Sequence, residues 1–364
     1  MKTQIDYSVI DADGHVIESD TELREYLEEP YRKNIPVTGF PFFPTLDGFQ
    51  RGAILARTGI YKDYNITSQT WIDFLDQVGI ESTVLYPTAG LAHGLIQDAD
   101  WAVAIARGYN NWLHDRYYRF NPRLRGVALL PIQDVPEAVK ELRRAVTELH
   151  MVGGVLTANG GDMGVRKPLG DQEFWPIYEE AERLNCPLAI HGAPSIGLGL
   201  NSFRKFAPVH CLEHPFAQMI QLTSMVFEGV FERFQKLRVA YLEAGTGWVP
   251  FMMDRLDRGY EVWVGSEYKE YSPELRRRPS EYIRSNRVFF SCEGGEESLA
   301  YAVQRLGTEV LLFASDFPHE NNIPRAKHEI EEMLERPDLT AEDKRRILRD
   351  NVQRFYQVAV ATHA

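Results

Sequence analysis

The chain has 364 residues, 44% hydrophobic, 25% charged and 12% aromatic, enough to bury a large core as one big barrel or two ordinary domains. Its net charge of −12 argues against nucleic acid and against an anionic membrane surface as partners. No apolar run approaches the roughly 20 residues that cross a bilayer, and the N-terminus, "MKTQIDYSVI", has no signal-peptide apolar region.

The pattern along the chain is strand, helix, strand, helix. "SVIDADGHVIES" opens it, with β-branched Val9 and Ile10 reading as a short buried strand. A polar, Pro- and aromatic-rich stretch follows. Then "TSQTWIDFLDQVG" places Trp71, Phe74, Leu75 and Val78 at helical spacing between a Thr/Ser start and Gly79. "ESTVLYP" predicts a strand and "DADWAVAIARGYNNWLHDRYYRF" a long amphipathic helix. "LRGVALLP" and "VPEAVKELRRAVTEL" repeat the pair, the helix with Pro near its start. "VGGVLTA" and "DQEFWPIYEEAERLN" do so again. "CPLAIHG" predicts a fifth strand, with a helix from about Pro215 to Glu228. "LRVAYLEAG" precedes the helix "WVPFMMDRLDRGYEVW". "RVFFSCEG" precedes "EESLAYAVQRLG", and "EVLLFASDFP" precedes a helical C-terminus.

Eight short apolar runs, nearly all followed by a helix, predict a parallel sheet buried on both faces. The length favours a closed (β/α)8 TIM barrel over an open sheet. The expected organisation is one domain over residues 1–364, with a long loop at about 36–67 after strand one. The three cysteines, Cys186, Cys211 and Cys292, are odd in number and widely spaced. They are expected to be buried thiols in a reducing cytoplasm.

A barrel carries its active site at the C-terminal ends of its strands. Strand one ends in Asp11, Asp13 and His15, which alternation places on one face, with Glu18 close behind. Taken alone, this stretch reads equally as a solvated turn or as part of a cation site. The other strand ends supply Tyr86 and Thr88, Thr157 and Asn159, His191, Glu243, Glu293, and Asp316 with His319 just beyond. Asp13, His15, His191 and Asp316 converge only if the barrel closes. Two imidazoles and two carboxylates suit one divalent ion, Zn2+ or Mn2+. Asp316 reads alternatively as the N-cap of the next turn.

The motifs "DADGH", "HGAP", "LEAGTGWVPFMMDRLD" and "SDFPH", in this order and over nearly the whole chain, resemble the amidohydrolase superfamily. The resemblance is to its amidohydrolase-related branch, which includes aminocarboxymuconate-semialdehyde decarboxylase and the resorcylate and carboxyvanillate decarboxylases. It implies that Asp13 and His15 match the first-strand ligand pair, and that His191 and Asp316 match the strand-five and strand-eight ligands. The histidine that the family uses as acid/base on strand six is replaced by Glu243. His214, four residues after His210, either supplies that missing group or caps and packs its helix. No lysine suited to bridging two metals stands at the strand-four end, so a single metal is expected. Trp248 and Phe251 read as core or pocket wall. Arg51 and Arg57, in the long first loop, are solvated or clamp a substrate carboxylate.

The resemblance implies a metal-dependent, non-oxidative decarboxylase of a small aromatic or unsaturated carboxylic acid. A carboxylate at position 243 fits a metal-dependent hydrolase of a C–N, C–O or C–C bond instead. Its nucleophile would be metal-bound water, with Glu243 or Asp316 as base. A non-catalytic barrel is the third reading. The expected partners are a small-molecule substrate, an aromatic acid, and further copies of the chain in a homodimer or larger homo-oligomer.

Overall fold

Each apolar run becomes a strand of one eight-stranded sheet. The computed structural model describes residues 6–35, 39–51, 53–54, 65–158, 161–264 and 275–357. The strands are β1 (Val9–His15), β2 (Ile80–Tyr86), β3 (Leu124–Leu129), β4 (Gly153–Thr157), β5 (Leu188–His191), β6 (Val239–Leu242), β7 (Val288–Cys292) and β8 (Leu311–Phe313). They lie in chain order, each parallel to the next. β8 returns beside β1. The Asp316 N–H donates to the Asp13 carbonyl at 3.0 Å and the His15 N–H to the Phe317 carbonyl at 2.7 Å. The result is a nearly closed (β/α)8 barrel, as the sequence pattern predicts.

A principal helix follows each strand: α1 (Ser68–Val78), α2 (Ala99–Leu113), α3 (Val135–Thr147), α4 (Trp175–Leu184), α5 (Phe206–Phe227), α6 (Trp248–Trp263), α7 (Leu299–Leu306) and α8 (Ile323–Glu335). Local chemistry sets several of their ends. The Thr67 side chain accepts from the Thr70 N–H, and Gly79, at φ 91°, ends α1 in the left-handed region. Asp98 and Asp134 cap α2 and α3 in the same way. Trp71, Phe74 and Leu75 are the buried face of α1.

The helix after β5 departs from expectation. It begins at Phe206, and Pro215 lies inside it rather than at its start. Proline ordinarily interrupts a helix interior. Here tertiary contacts override that preference: Gln218 donates to the carbonyls of Ile190 and Leu242, both at 2.8 Å. These bonds dock α5 on the ends of β5 and β6. The long first connection also packs on the barrel where it is described. Phe42, Phe43 and Leu46 are buried, and the Ser195 N–H donates to the Leu46 carbonyl at 3.0 Å. Arg57 and Asn159 lie outside the described residues.

Cys186 and Cys292 are buried, but Cys211, on α5, is exposed at the mouth of the barrel. Trp248 is buried against Tyr241 and Phe290, whereas Phe251 is 57% exposed and is neither core nor pocket wall. Among the described residues, no helix is long and apolar enough to cross a membrane.

Candidate metal centre

The end of β1 sorts its acidic groups by depth. The β1–β2 register shifts between Asp11 and Gly14. Asp11 faces away from the rim cluster. It accepts from the Thr83 hydroxyl at 2.6 Å and from the Ser315 N–H and hydroxyl, both at 2.8 Å. Burial pushes its carboxyl up to about 6, against those hydrogen bonds. Asp11 thus ties β1 to β2 and to the chain beyond β8, and alternation along an ideal strand misplaces it. Glu18 is likewise a local anchor: its carboxylate accepts from the N–H groups of Thr88, Ala89 and Gly90.

Asp13, His15 and His191 bring ligand atoms within 4.8 Å of one another. His15 Nε2 lies 3.4 Å from Asp13 Oδ1 and 3.4 Å from Asp316 Oδ1. His191 Nε2 lies 3.4 Å from Asp13 Oδ2. Both Asp13 oxygens and both Nε2 atoms are buried without a hydrogen-bond partner. Such atoms are costly to leave unsatisfied, and a shared cation satisfies them together. The other ring nitrogens are already engaged. His15 Nδ1 lies 2.8 Å from the Pro87 carbonyl and His191 Nδ1 2.6 Å from the Gly192 carbonyl. With Nδ1–H donating there, each Nε2 lone pair faces the gap. Burial and the neighbouring His319 and His191 also hold His15 well below the ordinary histidine range, in the neutral form that ligates. A donor set of two imidazoles and two carboxylates fits one Zn2+ or Mn2+ ion.

Glu243 and Asp316 turn the chain at their strand ends in the left-handed region, at φ 57° and 49°. Non-glycine residues held there tend to mark functional sites. Glu243 Oε2 is 3.3 Å from His191 Nε2, and its Oε1 is 3.6 Å from His214 Nε2. Burial, with Asp316 and Asp13 nearby, pushes the Glu243 carboxyl well above its ordinary range. His214 is 6% exposed, and neither ring nitrogen has a hydrogen-bond partner. It is not a helix cap, because α5 begins two turns earlier.

Two neighbours of this cluster carry no role in the sequence reading. His319 stacks on His15, with ring centroids 4.0 Å apart. Its nitrogens meet Asp316 Oδ1 at 2.8 Å and the Thr88 hydroxyl at 2.9 Å. Glu213 is fully buried beside His214. Only the string "SDFPH" could have pointed to His319, and nothing in "HCLEHPF" separates Glu213 from a solvated helix residue. Arg51, a candidate substrate clamp, is instead bound to Asp47 and Glu213, both at 2.8 Å. Tyr86 fills the barrel below the site, its hydroxyl paired with that of Tyr356. Thr157 accepts from the Gly94 N–H. A cavity of about 480 Å3 opens beside the cluster, lined by Asp13, His214, Glu243, Glu293 and Asp316 among others. That volume suits one small ring.

Fold and cluster together define a barrel metalloenzyme. The family model described as Amidohydrolase matches residues 10–358, and the chain belongs to that family. It is 25% identical over 294 residues to the gamma-resorcylate decarboxylase of a Polaromonas species, covering 79% of this chain and 86% of that one. It is 29% identical over 204 residues to the 2-amino-3-carboxymuconate-6-semialdehyde decarboxylase of Dictyostelium discoideum, covering 54% and 52%. Among solved structures, a dihydroxybenzoic acid decarboxylase from Polaromonas with bound manganese and the inhibitor 2-nitroresorcinol superposes with a TM-score of 0.70. It is 21% identical and covers 96% of this chain and 97% of that one.

Proposed function

We propose that this protein is a metal-dependent, non-oxidative decarboxylase of a small aromatic carboxylic acid bearing a hydroxyl beside its carboxylate. The observation that carries the reading is the convergence of unpartnered Asp13, His15 and His191 atoms, with Asp316, on one ion-sized gap beside a cavity of ring size. Asp13, His15, His191 and Asp316 hold the ion in this reading. Manganese in a structural relative supports Mn2+, with Zn2+ accepted by the same donors. An ion held by these residues would supply Lewis-acid attraction for the substrate's anionic oxygens.

Glu243 and His214 carry the proton in this reading. Their side chains meet at the cavity wall, 3.6 Å apart. The pair delivers a proton to the ring carbon bearing the carboxylate. The bond from that carbon to the carboxyl carbon then breaks, its electron pair restores the aromatic ring, and CO2 leaves. His319 fixes Asp316 from behind, and the Nδ1 contacts fix His15 and His191.

A hydrolytic reading keeps the same ligands and makes Glu243 or Asp316 a base toward water. The carboxylate at 243, beside His191, is what favours it. Incubation with hydroxybenzoates, with CO2 as the readout, separates the two. A homodimer or larger homo-oligomer belongs to the proposal, supported by exposed Phe216 and Ile220 one turn apart on α5. A cytoplasmic setting is supported by three free cysteines.

A further inference from the structure

We propose that Glu213 and Arg51 are positioning residues for His214, so that the long connection after β1 helps set the acid/base group. This rests on the decarboxylase reading above for its kinetic arm only. Glu213 Oε1 is a hub. Arg51 Nη2 lies 2.8 Å from it, His210 Nδ1 3.2 Å, and His214 Nε2 3.5 Å. Glu213 Oε2 is buried with no hydrogen-bond partner, as are both nitrogens of His214. His214 Nε2 therefore stands between two carboxylates, Glu213 at 3.5 Å and Glu243 at 3.6 Å. A small ring movement makes a hydrogen bond to either one. Glu243 faces the cavity, whereas Glu213 is fully buried. Glu213 can therefore hold the imidazole without touching substrate, as a buried carboxylate orients a catalytic histidine elsewhere.

A buried carboxylate is stable only with firm partners. Arg51 makes the shortest of these contacts. Its Nε is held by Asp47 at 2.8 Å, and its guanidinium lies over the Phe206 ring, 5.2 Å from the centroid. Asp47 and Arg51 belong to the connection after β1, which is itself pinned through Leu46 and Phe42. The charged and titratable groups around His214 are Glu213 and His210 on its own helix, Glu243 after β6 and His191 on β5. Arg51 stands behind Glu213, and Glu320 behind His210. Burial pushes Glu213 up, but His210, His214 and Arg51 outweigh it and hold the carboxyl at about 2. Glu213 is thus ionised throughout the working range. Burial pulls His214 below the ordinary histidine range, and the Glu213 charge opposes that pull.

The test compares wild type with Glu213→Gln, Glu213→Asp and Arg51→Gln at equal metal content. One arm follows the His214 imidazole by NMR in histidine-labelled protein, assigned with His214→Asn. The other measures decarboxylation of 2,6-dihydroxybenzoate. The expected result for Glu213→Gln is a His214 titration moved to lower pH. Its kcat should fall at least roughly tenfold, with KM within about twofold. Glu213→Asp should recover part of the loss, and Arg51→Gln should lower kcat by less at steady KM, without moving the His214 titration to lower pH, because losing the cation leaves the Glu213 charge less compensated. An unchanged His214 titration in Glu213→Gln overturns the proposal, as does a raised KM at unchanged kcat. If Glu213→Gln does not fold, Glu213→Asp and Arg51→Gln are judged by kcat and KM: a lower kcat at steady KM supports the proposal, and an unchanged kcat or a raised KM alone overturns it. If wild type releases no CO2, the reaction reading fails, and the NMR arm still decides the positioning role.

Discussion

The backbone N–H of Asp316 donates to the carbonyl of Asp13 at 3.0 Å, so the last strand end is stitched to the first. His15 Nε2 then lies 3.4 Å from a carboxylate oxygen of each. In the proposed reading, closing the barrel also assembles the metal site. The candidate ligands from the first and last strands meet only once β8 docks beside β1.

The ligand set predicts metal content directly. Purified protein should hold one divalent transition ion per chain, and His191→Ala should lose it. Removing that imidazole deletes one of three mutually close, fully buried donors. Elemental analysis checks this. A stoichiometric ion surviving in a His15/His191 double variant would place the metal elsewhere.

Glu243 should be separable from metal binding. Glu243→Gln keeps shape and nearly the same volume, and Asp13, His15, His191 and Asp316 remain in place. Fold and metal content should be unchanged, with turnover down at least about a hundredfold. Wild-type turnover at full metal occupancy would make the carboxylate structural and remove the acid/base assignment.

His210 ties α5 to the rim through Glu213 and Glu320, whose hydrogen bonds raise it to about 9. A histidine raised above its unfolded value near 6.5 stabilises fully below that value. The contribution is then lost as pH rises through about 9. Thermal melts of wild type and His210→Asn should therefore differ most near pH 6 and converge by pH 10. A difference that stays constant or grows with pH contradicts the ion-pair account.

Gly14 gives a packing prediction. A Cβ there would collide with the Trp71 ring and the Thr83 hydroxyl. Trp71 also donates to the His15 carbonyl at 3.1 Å, so the collision reaches the site. Gly14→Ala should cost about 1–3 kcal/mol, the usual range for overpacking. Denaturant melts read the cost, and metal affinity should weaken in parallel. An unchanged midpoint would mean that Trp71 moves freely.

The sequence made some of this legible and hid the rest for physical reasons. Asp13, His15, His191 and Asp316 stand at strand ends, where short-range pattern and barrel topology together place a side chain. Asp11 obeys the same alternation, yet a register shift and the Thr83 and Ser315 hydroxyls take it out of the cluster. Pro215 looked like a helix start because proline favours the first turn. The contacts that carry the helix past it come from β5 and β6, distant in sequence. Glu213 and Arg51 meet each other across two elements, which no local spacing announces, whereas His319 meets Asp316 within "SDFPH" and only its contacts with Thr88 and His15 lie outside the reach of sequence pattern. Cys211 and Phe251 depart from expectation because residue type alone does not say whether a helix position meets the packed core, the open cavity or solvent.

The most direct measurement offers the metal-loaded enzyme 2,6-dihydroxybenzoate in D2O. The account predicts CO2 and a ring product in equal amounts, with one deuterium at the carbon that carried the carboxylate, and loss of both products in Glu243→Gln. No CO2 from 2,6-dihydroxybenzoate or any other hydroxybenzoate offered at full metal occupancy, together with water-dependent cleavage of an amide or ester by the same preparation, would contradict it and make the chain a hydrolase.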